Sequence, residues 1–114
     1  MYGSPWVPTF NDWAFMRDDA ELAGVWARIP DDVDVLMTHG PPLGMGDLVV
    51  DGRRAGSETL ARRIAGLKHL RLHLFGHIHE SHGSRDRIGH AVVANVSYVD
   101  FHYRPVQPPV LFEL

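Results

Sequence analysis

Three histidines have the type and the placement that metal chemistry needs. His39 stands in Thr38-His39-Gly40-Pro41-Pro42, and His77 and His79 stand in Phe75-Gly76-His77-Ile78-His79-Glu80. Neutral imidazole is a ligand for Zn, Fe, Ni or Cu, and for Mn when carboxylates join it. In extended backbone, residues i and i+2 point the same way, so His77 and His79 can reach one metal, or two metals a few ångströms apart. Gly76 lets the chain turn tightly before the first of them. An isolated H-x-H is usually an accident of composition. Here it gains weight because a second histidine motif ends the preceding apolar run. Glu80 follows directly and is placed to accept a hydrogen bond from a ligand imidazole, with a solvent-facing loop carboxylate as the equal alternative. Asn95, at the end of an otherwise apolar run, either faces the site or, as the favoured role, caps a turn.

These side chains need a scaffold that gathers them. Val33 to Thr38 and Leu70 to Phe75 read as short strands. Between them Ser57 can cap a helix, with Leu60, Ile64 and Leu67 on one face. Strand, helix, strand implies parallel neighbours, and ligand sites of such sheets collect outside the carboxyl ends of the strands. An earlier helix, capped by Asp18 or Asp19, carries Leu22, Val25, Trp26 and Ile29 on one face and stops at Pro30. Gly89 can turn a hairpin into a strand over Ala91 to Val96. Tyr98 to Tyr103 alternates polar and apolar residues and reads as another strand, and Val110 to Leu114 as the last. Residues 3–13 read as irregular, because Pro5 and Pro8 argue against a central strand. The fold class expected is α/β, a mixed sheet with helices on one face.

Composition narrows the function classes. At 114 residues with 45% hydrophobic and 22% charged residues, the chain has the balance of one globular domain. Eleven basic against fourteen acidic residues leave a formal charge of −3, which argues against binding to a nucleic acid duplex. The absence of cysteine excludes disulfides and thiolate metal sites and points to a reducing compartment, the cytoplasm. No apolar run reaches the ~20 residues of a membrane helix, and residues 1–10 lack the features of a signal peptide.

The two histidine motifs resemble the C-terminal motifs of calcineurin-like metallophosphoesterases. Gly3-Ser4-Pro5-Trp6, Phe10-Asn11-Asp12-Trp13, Leu43-Gly44-Met45-Gly46-Asp47-Leu48 and the ending Pro108-Pro109-Val110-Leu111-Phe112-Glu113-Leu114 resemble one subgroup, the metallophosphoesterase-domain-containing proteins. The likeness covers nearly the whole chain. It implies that residues 1–114 are the C-terminal part of a four-layer αββα sandwich. It also implies a hydrolase in which hydroxide held by two divalent metals (Mn, Fe or Zn), roughly 3.5–4 Å apart, attacks a phosphodiester in line, a cyclic nucleotide being one such substrate. Carried over by motif, His39 and His77 bind one metal and His79 the other.

The family's D-x-H, G-D and G-N-H-[DE] motifs, which supply the carboxylate ligands, are not in this sequence in the order the family requires. Asp100-Phe101-His102 has the first pattern in the wrong place and reads as polar alternation on a strand. At most one metal is therefore expected here, and no catalytic residue is assigned. The chain is expected to be incomplete by itself. A start further upstream is the favoured account, a separate N-terminal partner or self-association the second, and a decayed relic the third. The rival to a phosphoesterase is a non-catalytic, histidine-based metal-binding or protein-interaction module. Among the remaining histidines, His69 and His73 precede the glycine-histidine turn, His73 reading as a hydrogen-bonded strand residue, while His82 and His90 flank the hairpin and could reach the metal end. The pairs Arg53-Arg54 and Arg62-Arg63 could meet a phosphate, a solvated helix face being the safer reading. Trp6, Trp13 and Trp26 read as core or interface residues.

Overall fold

The computed structural model describes residues 1–114. The elements are β1 (Tyr2–Ser4), β2 (Val7–Pro8), β3 (Met16–Arg17), α1 (Asp19–Trp26), β4 (Val35–Thr38), α2 (Glu58–Ala65), β5 (Leu72–Phe75), a single 3-10 turn at His79–Ser81, β6 (Arg85–Ile88) and β7 (Ala91–Asn95). Five strands form one sheet in the order β1-β4-β5-β7-β6, parallel throughout except for the final β6–β7 hairpin. A separate parallel pair joins β2 to β3. The fold is α/β, as the pattern of elements predicts.

Both helices lie against one face of the sheet. Leu22 and Trp26 of α1, Leu60 and Ile64 of α2, and Leu36, Leu70 and Ala91 from the sheet form the buried core, completed by Ile29, Val33 and Leu67. The molecule measures 37 × 34 × 22 Å. Its short axis is that of two layers at roughly 10 Å each. On the other face the register sets Met37 beside Leu74 and Leu74 beside Ala94. Met37 is 46% exposed. The total surface of 6842 Å² exceeds the ~6,300 Å² expected for a folded chain of this mass, as an uncovered apolar side would produce.

One hydroxyl joins the two helices. Ser57 Oγ accepts from Leu60 N (3.0 Å), capping α2, and from the indole Nε1 of Trp26 (3.2 Å), while it donates to Asp19 Oδ1 (2.5 Å). The carboxylate of Asp19 in turn accepts from Thr59 N at 2.9 Å. The N-terminal amides of α2 are thereby satisfied inside the core, where an orphaned donor would cost most. Neither Asp18 nor Asp19 caps α1 with its side chain, because Asp19 is drawn to Ser57 and Thr59 of the second helix.

Two expected strands are absent, and the stretch expected to be irregular holds two short ones, residues 2–4 and Val7–Pro8. Residues 2–4 form an edge strand rather than irregular chain; Pro5 ends it, so the prolines permit an edge position and forbid a central one. Tyr98 to Tyr103 is not a strand. The carboxylate of Asp100 accepts from His102 N (2.9 Å), Arg104 N (3.0 Å) and Arg104 Nε (2.8 Å), which curls the chain into a turn. Polar alternation therefore does not explain Asp100-Phe101-His102; a local turn does. Val110 to Leu114 has no ladder partner, and Phe112 lies under the guanidinium of Arg85, 4.8 Å from the ring centre.

Replacing Ser57 by Ala removes the cap of α2 and leaves the Trp26 N–H without an acceptor. Urea unfolding should show a loss of about 1–3 kcal/mol. A loss under 0.5 kcal/mol would show that the hydroxyl does not join the helices.

Candidate metal centre

The ladder extends past the named strand ends and aligns the two motifs. His39 N donates to Ser4 O (3.1 Å), Gly76 N to His39 O (3.0 Å), and Val96 N to Phe75 O (2.7 Å). The residues after β4 and β5 are thus held side by side at the carboxyl edge of the sheet. Gly40 turns the chain away directly after His39. A Cβ there would lie 2.6 Å from Val7 Cγ1, so only glycine passes without moving β2.

His39 and His77 meet ring to ring. Nε2 of His39 lies 3.1 Å from Nδ1 of His77, with ring centres 4.8 Å apart. For two nitrogens each ~2.05 Å from one ion, that separation subtends about 98° at the ion, close to a tetrahedral or octahedral bite. His77 is pushed down to about 4, chiefly by burial and then by the neighbouring His39 and His79, with Glu80 opposing. His39 is also lowered, first by burial and then by His79. Both rings are therefore neutral near pH 7, the form that donates a lone pair to a metal. His77 holds φ at 67°, in the left-handed region that non-glycine residues rarely occupy.

His79 is oriented by a backbone carbonyl. Its Nδ1 lies 3.1 Å from Asp100 O. A carbonyl only accepts, so Nδ1 carries the proton and Nε2 keeps the lone pair, the arrangement that metal-ligating histidines use. No cluster of three or more His, Asp or Glu side chains is close enough to grip a metal as a set. The candidate donor pair is His39 and His77, and His79 lines the same cleft as both.

Glu80 does not touch an imidazole ring. Its Oε1 accepts from Val50 N (2.9 Å), while Ser81 Oγ donates to Leu48 O (3.0 Å), so this turn clasps the long loop after His39. Asn95 is fully buried and fully used. Its Nδ2 donates to Gly46 O (3.1 Å) and Ile78 O (2.9 Å), and its Oδ1 accepts from Ser97 N (3.0 Å) and Ser97 Oγ (2.7 Å). It caps a turn, as expected. It also fixes the carbonyl between His77 and His79, a role that no sequence signal could reveal.

His73 is the hydrogen-bonded strand histidine that the sequence suggests. Thr38 Oγ1 donates to Gly40 O (2.6 Å), so His73 Nε2 must donate to Thr38 Oγ1 (2.8 Å), leaving Nδ1 without a partner. His82 lies near the site end of the sheet, after the turn that its own N–H closes onto His79 O and just before Gly83, whose N–H donates to Asn95 O. His69 and His90 precede β5 and β7 and so lie at the opposite edge. Arg62 pairs with Glu58 on the solvated face of α2, as expected, whereas Arg63, its side chain 24% exposed, is held against Ile29 O and Asp31 rather than solvated. Arg53 and Arg54 instead stand on the loop beside the histidines. Trp26 is core, Trp6 packs on Phe15, and Trp13 is 53% exposed.

The chain's likeness to other proteins follows the same residues. It is 40% identical over its whole length to human metallophosphoesterase domain-containing protein 1, and equally so to the mouse protein. A UPF0046 protein of Caenorhabditis elegans is 36% identical, again over the whole chain. Over its whole length the chain is similar to the metallophosphoesterase domain-containing proteins. It spans 35% of the length of the human member of that family and 29% of the worm protein. No family profile matches it.

Two measurements test this geometry. Replacing Asn95 by Ala leaves two buried carbonyls and the Ser97 hydroxyl short of partners, and unfolding should show a loss of roughly 2–3 kcal/mol. A change within 0.5 kcal/mol would mean that water replaces the amide at no cost. The second concerns acid. His73 is pushed down to about 3 by burial, against an ordinary value of 6.5. The unfolded chain takes up the proton first, so stability falls as pH drops from 6.5 towards about 3. The contribution of His73 is a slope of up to about 1.4 kcal/mol per pH unit. Urea midpoints between pH 7 and pH 4 should show this fall, and a flat profile would contradict a buried neutral ring.

Proposed function

We propose that this chain is the histidine-bearing part of a metal-dependent phosphoesterase domain, and that it holds one divalent cation through His39 Nε2 and His77 Nδ1. The observation that carries this reading is the 3.1 Å approach of two ring nitrogens from adjacent strands, both in the neutral form. His79 joins as a third ligand once a cation draws it in, or holds a second cation when carboxylates from outside these residues complete the site. A cation there would polarise a phosphoryl oxygen and acidify water, the chemistry of phosphodiester hydrolysis. The chain's own residues would hold it: the ladder aligns His39 with His77, Asp100 O sets the His79 tautomer, and Asn95 fixes the peptide between His77 and His79.

The likeness to metallophosphoesterase domain-containing proteins supports the hydrolase reading. The substrate class proposed with it is a phosphodiester, a cyclic nucleotide being one instance. Alone, the chain lacks carboxylate ligands and is expected to bind metal without useful turnover. Its open sheet face is then the place where the rest of the domain, a partner carrying it, or a second copy packs. The alternative, a metal-binding or interaction module without catalysis, shares the histidine pair and differs in turnover once the remaining ligands are supplied.

Titration with Zn²⁺ or Mn²⁺ should give one ion per chain, and His77→Ala should weaken binding by at least tenfold while leaving the fold intact by circular dichroism. Absence of saturable binding would end both readings. Hydrolysis of bis-p-nitrophenyl phosphate by a longer form of the protein that carries the remaining ligands, lost in His77→Ala, separates the enzyme from the module.

A further inference from the structure

The loop from Pro41 to Gly56 is organised around one buried carboxylate. Asp47 is 0% exposed. Its Oδ2 accepts from Gly44 N (3.0 Å) and Gly56 N (3.2 Å), and its Oδ1 accepts from Arg54 Nη1 (2.6 Å). The same loop is stitched by Ala55 N to Asp47 O (3.0 Å), Ser57 N to Pro41 O (3.0 Å) and Leu43 N to Ser57 O (2.9 Å). Gly56 admits no side chain, since a Cβ would lie 2.4 Å from Pro42 O. Further bonds tether the loop from outside: Asn95 to Gly46 O, Ser81 to Leu48 O and Glu80 to Val50 N.

So much fixation produces one chemical result, a guanidinium held in place. The Arg54 side chain is 50% exposed. Only Nη1 has a protein partner, and the other nitrogens of the fork keep their donors free. Arg54 lines a cleft of about 690 Å³, and His77 and His79 line the same cleft. The competing charges there are occupied otherwise. Asp51 is bound to its neighbour Arg53 (2.7 Å), and Glu80 accepts from Val50 N. Because Asp47 shares its charge with two backbone amides, its bond to Arg54 fixes the guanidinium without using up its capacity for anions. A pre-set planar fork loses little entropy when it engages a phosphate.

We propose that Arg54 is a ligand-binding residue of this cleft, where its guanidinium engages an anionic oxygen of a phosphate group, with Asp47 as its positioning residue. The proposal deepens the phosphoesterase reading, because it places a phosphate-binding group in the cleft that His77 and His79 also line. It does not need the metal to be bound.

The test is a titration of the 114-residue chain, freed of metal with a chelator, with inorganic phosphate and separately with dimethyl phosphate. Both are followed by ¹H–¹⁵N NMR, including the arginine Nε–H signals. Saturable movement of the Arg54 Nε–H and Gly56 amide signals is expected. Arg54→Lys, which keeps the charge and the pairing to Asp47 but loses the fork, should weaken binding at least threefold at unchanged melting temperature. Arg53→Gln should change it less than twofold. If Arg54→Lys binds as tightly as the original chain, or if the Arg54 signals never saturate, the proposal is overturned. The dimethyl phosphate arm distinguishes the ligand: binding of both compounds assigns a diester-competent site, and binding of inorganic phosphate alone assigns a monoester or free-phosphate site. Zn²⁺ titration of Arg54→Lys keeps the two readings apart. Normal metal binding with phosphate affinity unaltered by the substitution removes Arg54 and leaves the metal centre standing. Arg54-dependent phosphate binding in a chain that takes no metal does the reverse.

Discussion

Backbone beyond the last ladder bonds at the carboxyl edge of the sheet must satisfy its hydrogen bonds by other means, and the rest of the site depends on how it does so. Loops cannot leave buried carbonyls and amides unpaired without losing about the energy of a bond each. Here three buried side-chain systems solve the problem. Thr38 and His73 form a chain to Gly40 O, Asp47 gathers Gly44 and Gly56, and Asn95 joins Gly46, Ile78 and Ser97. Each holds backbone next to a candidate ligand: Gly40 beside His39, Gly56 two residues after Arg54, and Ile78 between His77 and His79. The histidine pair and Arg54 are therefore borne on irregular backbone with the fixity of a strand end.

The sequence revealed the repeating parts of this arrangement and not the singular ones. Apolar spacing predicts both helices and the strands β4, β5 and β7, since periodicity reports which face is buried. The histidine motifs announce themselves by sitting where apolar runs stop. Alternation misleads over residues 98–103, because an Asp that bonds its own following backbone competes with a ladder that has nothing to join on the outer edge. The roles of Glu80, Asn95 and Asp47 could not be read from sequence. Glu80 bonds a residue 30 positions away and Asn95 one 49 positions away, and no local pattern encodes such distances. Asp47 is nearer to its partners, yet only the folded loop shows that all of them converge on one carboxylate.

The uneven coverage of the sheet fits the chain's relation to its relatives. One face carries two helices and a continuous core, while the other presents Met37, Leu74 and their neighbours partly to solvent. The human relative is nearly three times as long as the aligned stretch. Exposed apolar surface on a sheet is favourable only when something covers it. The histidines lie at the rim of that same sheet, so material that covered the face would arrive next to them.

The backbone at His77 carries a consequence of another kind. Its φ of 67° is a conformation that glycine adopts freely and that costs a side chain of order 1–3 kcal/mol. The polypeptide would therefore be more at ease with no Cβ at this position. A glycine at this position would tend to raise the melting temperature of the chain while abolishing the nitrogen that faces His39. Stability and ligand chemistry pull in opposite directions at one residue, and a search for hardier variants by heat resistance alone would select against the site.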